Sequence, residues 1–244
     1  MDRFFLAPDE WGDEPALSGA EAHHCSRVMR KRSGDHVIVF DGRGREGAAV
    51  LGDVSKSSVG LEILSRRESE VLSPQIEIAV GIPKGKSFDL ILQKAVELGV
   101  HRIQPLVSEQ GNVRFKAEEA EVKREKWQRT VLEACKQCGQ NFLPEVAVPL
   151  EVGSYLTSLN EASKGARFVG ALTEKTKSLR SLLSEMDVPE RVFLMIGPEG
   201  DFSPTEYEEI FSAAYAPVSL GELVLRTETA VFWMMSAVRY QFQL

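Results

Sequence analysis

From Gln75 onward the chain alternates short apolar runs with helical patterns, and this alternation restricts its fold more tightly than any other feature. "IEIAVGI" leads into the helical "SFDLILQKAVELG", and "RIQPLV" precedes the long "EEAEVKREKWQRTVLEACKQCG". "RFVGAL", "VFLMIG" and "PVSL" follow, the last two leading into helices that open at Ser203-Pro204 and near Thr227. Parallel strands need a long crossover between them, which a helix supplies, so the alternation predicts a mostly parallel sheet flanked by helices. Residues 1–70 have a different texture. A short strand precedes one helix over "SGAEAHHCSRVMRKRSGD", with Ser18 as N-cap, Glu21 three residues later and Gly34 beyond its end. The strand patterns "HVIVF", "EGAAVLGDV" and "SVGLEIL" come next. The polar "SRRESEVLSP" separates the two regions, so the expected organisation is a small β-rich domain over 1–70 and an α/β domain over 74–244.

Charge narrows the choice of partners. The 244 residues carry 29 Lys and Arg against 36 Asp and Glu, a net charge of −7, so the chain has no global basic field and any nucleic-acid contact must be local. Such a local excess exists: Arg27, Arg30, Lys31, Arg32, Arg43 and Arg45 face only Asp35 and Asp41 between residues 27 and 45. A solvated face and a surface for phosphate backbone both fit it. The three cysteines are an odd number and favour free thiols in a reducing compartment, hence a cytoplasmic protein. The longest apolar stretch, 230–238, is far short of the ~20 residues of a membrane span, and no signal peptide is visible.

Several motifs fail on context. Gly42-Arg43-Gly44-Arg45-Glu46-Gly47 matches G-x-G-x-x-G, but a strand pattern follows, so no helix N-terminus is available for a pyrophosphate and a hairpin turn started by Asp41-Gly42 is expected. Cys135 and Cys138 form a lone C-x-x-C at the end of a long helix, without the second pair a structural zinc site needs; they are expected to be buried helix cysteines, with no metal. The four histidines lie in no metal or nucleophile motif, and Lys84-Gly85-Lys86-Ser87 lacks the spacing of a P-loop.

Two segments carry chemistry. In "VFLMIGPEGDFSPTEYEEI" an apolar strand ends at Ile196, Gly197-Pro198-Glu199-Gly200 turns, and Ser203-Pro204-Thr205-Glu206 forms a capping box. Glycine permits close approach of a ligand to the backbone, while Glu199 and Asp201 would repel phosphate, so the turn suits a neutral or cationic ligand. An ordinary strand-to-helix connection reads equally well from composition. In "PVSLGELVLRTETAVFWMMSAVRY" a glycine-containing loop leads to Arg226 at a helix start, with Thr227 as N-cap. An arginine there faces solvent or pairs with an anion. The large apolar residues of the last helix cover more than one face, as at a subunit interface.

"IGPEGDFSPTE" and "LGELVLRTETA" resemble the two signature loops of the bacterial 16S rRNA (uracil-N3)-methyltransferase family, within the trefoil-knotted SPOUT methyltransferases. "HHCSRVMRKRSGD", "FDGRG", "KSFDLILQKAVELGV", "PLVSE" and "EACKQCGQNFLPE" extend the resemblance along nearly the whole chain. It implies a PUA-like β-barrel for RNA followed by a knotted α/β domain that binds S-adenosylmethionine and forms a homodimer. Carried over by position, Leu172, Thr173, Ile196, Gly197, Pro198, Glu199, Gly200, Leu220, Gly221, Leu225, Arg226 and Thr227 would bind the cofactor. Arg226 would stabilise the developing uracil anion, with Glu228 as a candidate base. Arg27, Arg30, Lys31, Arg32, Arg43, Lys84, Lys86 and Asn141 would contact 16S rRNA, presented by the small ribosomal subunit. The chain departs from the family at Gln110, Gln140 and Leu223, where arginine is common. An RNA-binding assembly module with degenerate catalysis is the alternative those departures raise, and a metal or redox protein is the alternative the cysteines raise.

Overall fold

The computed structural model describes residues 1–111, 113–159, 164–173 and 176–242. The chain divides into two compact units, Met1–Val71 with Leu132–Leu143, and Leu72–Val131 with Pro144–Leu244.

The first unit is built on strands β1 (Arg3–Phe5), β2 (Ala16–Ser18), β3 (His36–Phe40), β4 (Arg45–Val54) and β5 (Ser58–Glu68), in the order β1-β3-β4-β5-β2. Only β1 and β3 run parallel. Register shifts between β4 and β5 mark irregularities of the kind that bend a strand and increase its twist, which curls the sheet. Its inner face packs Phe4, Leu6, Trp11, Leu17, Val37, Val39, Leu51 and Val59. The segment 132–143 belongs to this unit: Lys136 bonds Glu21 at 2.5 Å, and the Asn141 side chain accepts from Arg3 and donates to Ser69.

The hairpin expected at Asp41-Gly42 is present. The Asp41 carboxylate accepts from the Arg43 and Arg45 amides at 2.7 and 3.0 Å, turning β3 into β4. The helix after Ser18 is shorter than its sequence predicts. Helix α1 spans only Gly19–His23, a π-type turn covers His24–Val28, and Ser18 caps nothing: its hydroxyl donates to Glu10. Glu21 accepts from the Phe5 amide and Lys136, so the capping residues are committed to tertiary bonds and leave the helix start without side-chain support.

The second unit contains an eight-stranded parallel sheet. In chain order its elements are β6 (Gln75–Gly81), α2 (Ser87–Glu97), β7 (Val100–Val107), α3 (Ala117–Cys138, which from Leu132 onward belongs to the first unit), β8 (Glu145–Val146), β9 (Leu150–Glu151), α4 (Val152–Ser158) and β10 (Ala166–Gly170). They continue with β11 (Lys177–Ser178), α5 (Leu179–Ser184), β12 (Arg191–Ile196), α6 (Pro204–Ser212), β13 (Ala216–Ser219) and α7 (Thr227–Phe242). The strand order is β11-β13-β10-β12-β6-β7-β8, with β9 also on β7, and every pairing is parallel. β12 reads as a continuous apolar run after Arg191 because both of its faces are covered, while β6 keeps the polar Gln75 and Glu77 at its start. Helix α7 packs against α2, α5, β6 and β12. Its end is held by Arg239, whose guanidinium donates to the carbonyls of Pro74, Leu98 and Gly99.

Candidate functional site

The three strands β10, β12 and β13 end side by side, and beyond their carboxyl ends lies a cavity of about 260 Å³. Ligands of parallel α/β sheets bind at this edge, because the loops there diverge and leave a crevice. Three loops form the walls: residues 170–172 after β10, 196–199 with Asp201 after β12, and 219–227 between β13 and α7, omitting Glu222. The volume sits near the lower end of the roughly 300–1,000 Å³ of small-molecule sites.

Each loop is shaped by its own residues. Gly81, at the end of β6, lies so close to the β12 loop that a Cβ there would stand 2.3 Å from Pro198 Cδ and 2.5 Å from its backbone nitrogen. Asp201 adopts a left-handed φ of 61°, and its carboxylate accepts from its neighbour's amide at Phe202 and from the Tyr207 hydroxyl. Burial, then the adjacent Asp201 charge, pushes the Tyr207 hydroxyl well above its ordinary pKa, keeping it a donor. The capping box of α6 is complete: the Glu206 amide donates to Ser203 Oγ at 3.1 Å and the Ser203 amide to Glu206 at 2.8 Å. Glu206 also accepts from the Glu109 amide. Glu199 accepts from the Lys84 amide at 3.1 Å, tying the β12 loop to the loop after β6 that carries Lys84 and Lys86.

Thr227 does not cap α7. It is the first helical residue, and its buried hydroxyl donates to the Gly197 carbonyl at 3.0 Å, joining the second and third walls. The hydroxyl is thus committed to a carbonyl brought near by the fold and not to the amides of its own helix start. Arg226 precedes it on the cavity wall and is exposed, so its charge stays solvated while its side chain remains at the opening.

Of the residues assigned to cofactor, Leu172, Ile196, Gly197, Pro198, Glu199, Leu220, Gly221, Leu225, Arg226 and Thr227 line this one cavity. Thr173 and Gly200 are adjacent in sequence but outside its lining, and Glu228 lies one residue into α7, half-buried. Gly170, Ala171, Asp201, Ser219, Leu223, Val224 and Ala230 complete the walls. Asp201 stands in the same acidic turn as Glu199, a signal in the sequence; Gly170 and Ala171 at the end of β10 carry none. Among the residues assigned to RNA, Arg27, Arg30, Arg32 and Arg43 are exposed on the first unit, while Lys31 pairs with Asp2 at 2.5 Å. Lys84 and Lys86 are exposed on the second. Asn141 is 4% exposed with its amide bonded on both sides, so it braces the first unit from inside.

The cysteines are split. Cys135 is buried, and burial pushes its thiol up to about 12, whereas Cys138 is exposed, against the expectation that both are buried. A thiol held protonated is a poor metal ligand and nucleophile. Among the described residues, Glu21, His24 and Glu133 bring possible ligand atoms within 4.8 Å of one another. The Lys136 ammonium bonds to both of those carboxylates, at 2.5 and 2.7 Å.

The match to two RNA methyltransferase domain families makes this chain, with its curled sheet and its cleft at the ends of a parallel sheet, an RNA methyltransferase. The RNA methyltransferase domain family matches residues 71–239, and the RNA methyltransferase PUA domain matches 17–64. Ribosomal RNA small subunit methyltransferase E of Bacillus subtilis is 30% identical over all of this chain and 98% of its own length. The Synechocystis protein of that name is 31% identical, over 93% of this chain and 74% of its own. A crystal structure of the Neisseria gonorrhoeae protein of that name, bound to S-adenosyl methionine, superposes with a TM-score of 0.87 at 29% identity, over 99% of this chain and 98% of that one. The chain belongs to the ribosomal RNA small subunit methyltransferase E family, the family its two signature loops resemble.

Proposed function

We propose that the protein methylates N3 of a uridine in 16S ribosomal RNA, using S-adenosylmethionine bound in the cavity at the ends of β10, β12 and β13. The observation that carries this reading is the convergence of both signature loops on that cavity, joined by the Thr227 bond to Gly197. The walls suit the cofactor: backbone and apolar groups at Leu172, Ile196, Leu220 and Leu225 accommodate an adenosine, while Glu199 and Asp201 favour a cation. S-adenosylmethionine, when bound, supplies an electrophilic methyl group on a sulfonium.

The chain's own residues must then orient the uracil, remove the N3 proton and stabilise the anion left behind. Arg226, exposed at the cavity opening, is assigned to the anion. Glu228, in the first turn of α7, is assigned to the proton or to a water that carries it. N3 is hidden in a paired uridine, so the substrate presents an unpaired or flipped base. Exposed Arg27, Arg30, Arg32 and Arg43 on one unit, and Lys84 and Lys86 on the other, supply phosphate contacts. Exposed Trp233 and Tyr240 on α7, together with Leu223 and Val224 at 80 and 75% exposure, support a homodimer through the second unit. No helix among the described residues is long and apolar enough to cross a membrane. A ribosomal substrate supports a cytoplasmic location.

Incubation with methyl-labelled S-adenosylmethionine and unmodified small subunits tests the function: label is expected at N3 of one uridine, and its absence removes the assignment. Sedimentation tests the assembly, with a mass twice 27.1 kDa expected.

A further inference from the structure

The first unit joins Arg45, the last residue of the basic run over 27–45, to Arg66 and Arg67 from a distant stretch of the sequence. The antiparallel register of β4 and β5 sets Arg45 opposite Glu68, Glu46 opposite Arg67 and Gly47 opposite Arg66. Side chains alternate across a strand, so Arg45 and Arg66 share one face around the bare Gly47, and Glu46 shares the other with Arg67. The Trp11 ring fills the space that Gly47 leaves: its Cη2 is 3.3 Å from where a Cβ would stand. The ring is 5% exposed and fixed by its Nε1, which donates to the Leu6 carbonyl at 3.0 Å. The guanidinium carbons of Arg45 and Arg66 lie 5.3 and 5.8 Å from its centroid.

This arrangement keeps two cations in place without using up their donors. An aromatic ring attracts a guanidinium through its quadrupole and takes none of its N–H groups, which remain available to an anion. Carboxylates do not neutralise the pair. Arg66 has no ion-pair partner among the described residues, and the closest carboxylate approach to Arg45 is Asp41 at 3.9 Å, whose other oxygen holds the Arg43 and Arg45 amides. Glu46 is shared between Arg3 and Arg67. The resulting notch, about 390 Å³, is lined by Arg45, Arg66, Arg67 and Glu68; Arg67 is paired with Glu46, which leaves Arg45 and Arg66 as the cations available to an anion.

We propose that this notch is a binding site for phosphodiester groups of the RNA substrate, held ready by Trp11 and belonging to the first unit alone. The proposal rests on the RNA-methyltransferase reading for the identity of the ligand. Contacts to phosphate fix register and carry no sequence information, so the notch positions the RNA and does not select the base.

Arg45→Gln with Arg66→Gln, measured against labelled small-subunit rRNA by anisotropy over a salt series without methyl donor, tests it. Loss of two phosphate contacts is expected to make the plot of log affinity against log salt shallower by about 1.4, at roughly 0.7 per contact on single-stranded RNA. With small subunits as substrate, KM should rise and kcat stay unchanged. Arg45→Lys with Arg66→Lys keeps the charge and should restore most of the slope, which a merely structural role would not require. An unchanged slope in the glutamine variant, with the protein still folded by circular dichroism, overturns the proposal. So does a slope lost equally in the lysine variant. Failure of wild-type methyl transfer would sink the functional reading separately, because the binding arm uses no cofactor.

Discussion

At the scale of single residues, the site depends on positions where one atom too many would have no room. A methyl group at Gly81 would meet Pro198 at 2.3 Å, so Gly81→Ala must move the β12 loop. The expected result by calorimetry is at least tenfold weaker S-adenosylmethionine binding with the fold retained; unchanged affinity would show that the loop does not shape the cofactor site. Arg226 is exposed and does not support the fold, so Arg226→Ala should leave cofactor affinity intact and lower turnover about 100-fold or more, the effect of removing one group that stabilises developing charge. Equal turnover would remove it from the chemistry. Glu46 sets a pH dependence. Burial alone would raise its carboxyl pKa, but hydrogen bonds from Arg3 and Arg67 outweigh it and hold the value below the ordinary 4.5. A carboxylate whose pKa falls on folding stabilises the native state above its unfolded pKa. That stability is lost as the pH drops from about 4.5 through the lower native value. Glu46→Gln should remove this part of the acid sensitivity and cost about 3 kcal/mol at neutral pH, since it leaves Arg3 half-buried without its anion. Denaturant melts at pH 7 and pH 4 check both.

The helices and turns show what local sequence can and cannot specify. Ser203-Pro204-Thr205-Glu206 is a capping box in both sequence and structure because both of its bonds close within four residues. Ser203→Ala should cost about 1 kcal/mol, measured by thermal unfolding. Asp41-Gly42 behaves likewise, as its carboxylate reaches only the next few amides. Ser18 and Glu21 carry the same kind of signal and yet form no box. Their partners, Glu10, Phe5 and Lys136, come from other parts of the chain, and no periodicity foretells them. Thr227 follows the same logic: the Gly197 carbonyl that takes its hydroxyl is brought there by sheet order.

At the scale of the whole molecule, the alternation after Gln75 already implied a mostly parallel sheet flanked by helices, and every pairing in the sheet is parallel. Alternation does not reveal strand order. The neighbours β13, β10 and β12 bring together loops that begin about 25 residues or more apart in sequence, and the signature loops alone identified two of the three walls. The trefoil threading is a property of chain path, and it rests on the family resemblance. The return of Leu132–Leu143 to the first unit also lies beyond composition: Gly139 marks the end of the helix, but nothing in "LEACKQCGQNFL" shows which unit it packs with. The Trp11 notch combines residues from three separate stretches for the same reason.

The central claim is that both signature loops build one cofactor cavity serving uridine N3. Mass spectrometric mapping of small-subunit rRNA after reaction with the purified protein and labelled S-adenosylmethionine tests it most directly. One labelled 3-methyluridine is the predicted result. Label on another atom, on another base, or nowhere would contradict it.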